Sequence, residues 1–127
     1  MIKRKNIKAQ DIPEHKNPIP VATKIGNMIF TSAIGGEDPE SHKLPIDRLL
    51  QIRNVFLTIT AIMREAGGSP ENIGKVNVYL IDMQDRKLVN QEWIKMFPDE
   101  SSRPARHTMI QDLPSGRYIQ VEFLAII

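Results

Sequence analysis

The chain has 127 residues, carries 17 Lys and Arg against 15 Asp and Glu for a net charge of +2, and contains no cysteine. That length suits one hydrophobic core, and the missing cysteines exclude disulfides, thiolate metal sites and cysteine nucleophiles. Four of the cations, Lys3, Arg4, Lys5 and Lys8, crowd the first eight residues; the other 13 cations and the 15 acids leave −2, not the spread basic face of a nucleic-acid binder.

Residues 2–8 suit a short edge strand guarded by lysines. Residues 9–20 hold three prolines and should be irregular. Residues 21–25 and 28–34 flank Gly26-Asn27, a two-residue turn signal, and read as a hairpin. Gly35-Gly36 ends its second strand. From 46 to 66 the pattern turns helical: Leu49, Ile52, Phe56, Ile59, Met63 and Ala66 step by three or four, and Val55 and Ile62 widen the stripe. Asp47 falls in the first turn, where the helix dipole favours an anion, and Gly67-Gly68 supplies the stop.

Residues 73–81 form a strand with Val76, Val78 and Leu80 on one face and Asn77, Tyr79 and Ile81 on the other. A second helix spans 85–97, buried along Val89, Trp93, Met96 and Phe97 and ended by Pro98. Two strands follow, 106–112 and 118–127, joined by the Leu113-Pro114-Ser115-Gly116 turn. The order β-β-β-α-β-α-β-β predicts an α+β fold, a mixed sheet with two helices on one face, in a single domain over 1–127. The last strand sets Ile119, Val121, Phe123 and Ala125 against Gln120, Glu122, Leu124 and Ile126. Both faces carry apolar residues, so the face without helices is expected to lie against other copies of the chain.

Histidines 15, 42 and 107 show no ligand spacing, and no metal or cofactor is expected. There is no phosphate-binding loop, and no motif sets a base beside Ser32, Ser101, Ser102 or Thr108. No apolar run has the length of a membrane span, and the charged N-terminus lacks the apolar stretch of a secretory signal, so a cytoplasmic protein with no membrane partner is expected. What remains is Arg103-Pro104-Ala105-Arg106. Pro104 fixes the chain entering a strand expected inside the sheet, and an arginine opening such a strand needs an anion. Two partners answer: Glu122 within the chain, or the carboxylate of a ligand. Residue types alone leave both open.

Several segments resemble the Rid family, the reactive intermediate deaminases also called YjgF-like or L-PSP endoribonuclease proteins. They are Ile25-Gly26-Asn27-Met28-Ile29-Phe30-Thr31-Ser32, Arg64-Glu65-Ala66-Gly67-Gly68-Ser69, Ile73-Gly74-Lys75-Val76-Asn77-Val78-Tyr79-Leu80, Val89-Asn90-Gln91-Glu92-Trp93, Pro104-Ala105-Arg106 and Val121-Glu122, in the family's order and spacing. The resemblance implies a chorismate-mutase-like homotrimer with ligand clefts between neighbours. It implies cofactor-free hydrolysis of enamines and imines of small carboxylates to 2-oxo acids and ammonia. Arg106 would hold the substrate carboxylate and Glu122 would position or activate water, with Asn90, Ser32 and Ala33 near the cleft. His107, on the opposite strand face from Arg106, is read as structural. Two positions depart from the family's deaminases: Ile19 replaces a cleft tyrosine and Thr108 a cleft cysteine. They motivate a second reading, a non-catalytic module binding small carboxylates. RNA cleavage or translation inhibition is a third, carried only by Lys3-Arg4-Lys5, and no nucleic-acid partner is expected.

Overall fold

The computed structural model describes residues 2–127; Met1, the first residue of the N-terminal stretch discussed above, lies outside them. Six strands form one sheet: β1 (Arg4–Ile7), β2 (Ala22–Ile25), β3 (Met28–Thr31), β4 (Ile73–Leu80), β5 (Ala105–Ile110) and β6 (Ile119–Ile126), in the order β1-β2-β3-β6-β4-β5. All neighbours are antiparallel except β4 and β5. Those two are parallel because helix α2 (Arg86–Met96) carries the chain back between them. Helix α1 (Arg48–Glu65) makes the corresponding passage from β3 to β4.

The hairpin forms where expected. Ile25 pairs with Met28, and Gly26 takes the positive φ of 58° that the tight turn requires. Helix α1 begins two residues later than its periodicity suggested. Asp47 is its cap, not a first-turn residue: the carboxylate leaves the helical path and accepts the Leu50 amide at 2.9 Å. Ile46 stands outside, 91% exposed. At the other end Gly67, with φ 90°, lets its own amide and that of Gly68 bond back to Arg64 and Met63.

Both helices cover one face of the sheet. Ile52, Val55, Ile59 and Ile62 of α1 and Val89 and Trp93 of α2 share a core with Val76, Val78 and Leu80 of β4 and with the odd-numbered residues of β6 from Ile119 to Ala125. The other face bears Phe30, Asn77, Tyr79, Met109, Glu122 and Leu124, all half-buried without a covering layer.

Strand β5 is not inside the sheet, as the sequence suggested, but at its edge. The return through α2 sets it outside β4, and its outer edge has no partner strand among the described residues. The core also takes polar groups that periodicity hid. Gln51, fully buried, donates to the carbonyls of Pro45 and Gly116, both at 2.8 Å, and accepts the Tyr118 amide at 3.0 Å. It thereby ties α1 to the turn before β6. The loop after β3 presses on the same residue: a Cβ on Gly36 would stand 2.7 Å from the Gln51 Cα.

Candidate functional site

The order of the strands sorts the candidate residues onto different surfaces. Arg106 pairs in register with Val76, so its side chain lies on the helix-covered face. Glu122 pairs with Asn77, one residue further along β4, and so lies on the uncovered face. The internal Arg106–Glu122 ion pair, one of the two partners left open above, is therefore ruled out by geometry: the sheet stands between them.

On the helix side, Arg106 leans along β5 toward α2. Its Nη2 donates to Asn90 Oδ1 at 2.6 Å, and its guanidinium carbon lies 4.9 Å from the centre of the Trp93 ring. Thr108, two residues on, shares the face and is half-buried. No carboxylate lies within 4.0 Å of Arg106 among the described residues, whereas Arg48, Arg53, Arg64 and Arg117 each have at least one. Burial and then the charge of Arg86 push the Arg106 guanidinium below its ordinary pKa. This is a half-buried cation, held by a neutral amide and an aromatic face at an unpaired sheet edge.

On the uncovered side, Glu122 is fixed by two donors. Tyr79 OH bonds to Oε1 at 2.6 Å and Asn77 Nδ2 bonds to the same oxygen at 3.2 Å. The hydrogen bond to Glu122 and burial together raise the Tyr79 phenol above its ordinary pKa. The tyrosine thus stays protonated and donating at neutral pH. Both donors fall on Oε1, which leaves Oε2 without a side-chain hydrogen bond among the described residues. The sequence reading set Asn77 and Tyr79 on the face opposite Val76 and Val78 but did not count them among the site residues.

Ser32 and Ala33 follow β3, between the Phe30–Leu124 pair and the Ile34–Val121 bridge, so the chain there runs alongside Glu122. Ser32 Oγ donates to the Pro20 carbonyl at 2.7 Å and pins the proline-rich segment that carries Ile19. Ile19 and Ala33 line a cavity of about 430 Å³ together with Thr58, Gln120 and the Glu37–Arg117 ion pair. Thr58 Oγ1 is buried there without a partner. His107 is exposed on the uncovered face beside Asn77, and no core packing supports a structural role.

The candidate residues therefore form two groups. Arg106, Asn90 and Thr108 stand at the β5 edge, while Glu122, Ser32, Ala33 and Ile19 stand along β6 and β3. Among the described residues, no group of three or more His, Asp or Glu is placed to hold a metal, and no helix is long and apolar enough to cross a membrane.

The chain is similar in sequence and fold to known proteins. A family model described as Endoribonuclease L-PSP matches residues 10–127. A RutC family protein of Aquifex aeolicus is 32% identical over 123 residues, 92% of this chain and 98% of that one. The 2-iminobutanoate/2-iminopropanoate deaminase of Escherichia coli K12 is 28% identical over 124 residues, 96% of this chain and 97% of its own. The crystal structure of RidA from the Antarctic bacterium Psychrobacter sp. PAMC 21119 superposes with a TM-score of 0.87 at 30% identity, covering 97% of this chain and 99% of that one.

Proposed function

This chain belongs to the Rid (YjgF-like, endoribonuclease L-PSP) family, and on that premise we propose that it hydrolyses imines and enamines of small carboxylates to 2-oxo acids and ammonia. The observation that carries the reading is Arg106, a half-buried guanidinium set in place by Asn90 and Trp93 with no carboxylate of its own. Such a fork suits a ligand carboxylate taken through two hydrogen bonds.

The two groups of residues complete one site when copies of the chain meet. In the proposed homotrimer, the β5 edge of one copy approaches the uncovered face of the next, and Arg106 of one lines a cleft with Glu122 of the other. The half-buried Phe30, Tyr79, Met109 and Leu124 on that face support such a contact. Arg106 anchors the substrate carboxylate, with Thr108 as the wall beside it. Glu122 Oε2 takes a proton from water as the oxygen attacks the imine carbon. With the imine bound as its iminium, the resulting tetrahedral centre takes that proton on its nitrogen; the C–N bond then breaks to release ammonia as the new hydroxyl gives up its proton to water and becomes the carbonyl of the 2-oxo acid. Anchoring and water positioning are the main requirements of this chemistry, so no cofactor enters the scheme.

The test is ammonia release from 2-imino acids generated in place by an amino-acid oxidase. Wild type is expected to accelerate it and Arg106→Met to lose that acceleration. Equal rates across a panel of imines would refute the reading. Ile19 and Thr108, apolar and hydroxyl walls where the family's deaminases carry tyrosine and cysteine, favour one further reading, a carboxylate-binding module without turnover. Arg106-dependent binding of 2-oxo acids with no imine hydrolysis would identify it.

A further inference from the structure

We propose that Arg86 is a second anion-binding residue of this site, and that its preferred substrates are 2-imino acids bearing a second carboxylate. The inference rests on the reading of Arg106 as a carboxylate anchor and adds what the site selects beyond it.

Arg86 is the first residue of α2, and Asn90 stands one turn later, so the two share a helix face. That face meets β5, because Asn90 holds the Arg106 guanidinium at 2.6 Å. Arg86 is close enough for its charge to act on Arg106. Neither arginine has a carboxylate within 4.0 Å among the described residues, whereas Arg117, for example, meets Glu37 at 2.7 Å. Two like charges at one edge repel each other without an anion between them. A monocarboxylate on Arg106 neutralises one of them. A dicarboxylate neutralises both and takes each terminus on a planar fork.

The experiment compares two stable product-like acids of equal chain length, 2-oxoglutarate and 2-oxopentanoate, by titration calorimetry on wild type, R86Q, R86K and R106M. Wild type is expected to bind 2-oxoglutarate about tenfold or more tightly, the lower end of what a charge-assisted hydrogen bond contributes. R86Q is expected to close that gap and R86K to keep most of it. Arg86 is exposed, so R86Q should fold, and circular dichroism checks this. The same ratio should appear in kcat/KM for the imines of glutamate and 2-aminopentanoate. Equal affinity of wild type for both acids overturns the inference, and so does a gap that survives in R86Q. Equal hydrolysis of both imines, unchanged by R86Q, overturns it while leaving the proposed deaminase activity standing. Selective, Arg86-dependent binding without hydrolysis supports it and refutes that activity. Undiminished binding of both acids by R106M refutes the anchor itself.

Discussion

Replacing Arg106 by methionine separates a functional cation from a structural one, because the two roles predict opposite signatures. In the folded chain the guanidinium makes one side-chain hydrogen bond, to Asn90, and one aromatic contact, to Trp93. Against these stand its partial burial and the repulsion from Arg86. A methionine keeps the stem in contact with the indole, and Asn90, half-buried, can turn to water. The expected stability change is within about 1 kcal/mol in either direction. The loss in the reaction is much larger. A carboxylate held by two charge-assisted hydrogen bonds forfeits about 3–5 kcal/mol, a fall on the order of 10² to 10⁴ in kcat/KM. Urea unfolding and the coupled ammonia assay measure the two quantities on one preparation. Destabilisation beyond about 2 kcal/mol would refute the reasoning by making Arg106 part of the scaffold. So would retention of kcat/KM within a few-fold.

Other residues give equally definite expectations. Tyr79→Phe removes the shorter of the two hydrogen bonds fixing Glu122. Steady-state kinetics should show kcat falling about tenfold with KM little changed, the mark of lost positioning of the base; an unchanged kcat would remove Tyr79 from the mechanism. Burial alone would raise the Glu37 carboxyl, but the hydrogen bonds and charge of Arg117 outweigh it and hold it below its ordinary value of 4.5. That pair's contribution is fully present above the ordinary value and is lost as pH falls through the lowered one. Glu37→Gln should therefore cost about 1–3 kcal/mol at pH 7 and flatten the acid limb of the stability profile; a parallel profile would contradict this. Asp85 has the opposite sign: burial raises it above 3.8, Arg48 offsets this only in part, and Oδ2 has no partner. Stability should decline as pH rises from 3.8 through the raised value, and thermal melts of Asp85→Asn should lack that decline. Gln51→Leu strands two carbonyls and one amide, which should cost about 3–5 kcal/mol by urea unfolding. A loss under 1 kcal/mol would mean that water reaches them.

The elements were legible because their periods are clean. The α1 stripe, the Gly26-Asn27 turn and the alternation in β4 and β6 each follow from local rules, and each stands where those rules put it. The relation between strands was less legible. Alternation shows which residues of one strand share a face, but the face on which a neighbouring strand places its own residues depends on register. Arg106 opposes Val76 while Glu122 opposes Asn77, and that offset of one residue puts the candidate anchor and the candidate base on opposite sides of the sheet. One signal was available: Glu122 alternates with apolar residues in β6 just as Asn77 and Tyr79 do in β4, so the polar sets belonged on one face. Nothing comparable marked β5 as an edge, because its place depends on where α2 returns the chain. Gln51, Asn54 and Thr58 were hidden for another reason. They interrupt an apolar stripe, and only the nearby loops show what they serve: Gln51 meets Pro45 and Gly116, and Asn54 donates to the Gly36 carbonyl at 3.0 Å.

That separation of Arg106 from Glu122 gives a physical reason for the proposed assembly. Water attack requires the base and the anchored carboxylate within a few ångströms of one substrate, and no side-chain rotation carries either residue through the sheet. Each half is nevertheless prepared. The cation is fixed by Asn90 and Trp93 at an edge with no strand beyond it, and the carboxylate is fixed by Tyr79 and Asn77 on a face with no layer above it. An open edge and an apolar open face are both liabilities in a lone chain. Docking the edge of one copy against the face of the next covers both and brings the two halves of the site together. A folded monomeric variant is expected to show a specific defect: binding of 2-oxo acids at Arg106, weakened by exposure to water, with no hydrolysis of their imines. A monomer that hydrolyses imines at the rate of the assembled protein would show that one chain holds a complete site, and the division described here would then have no part in the chemistry.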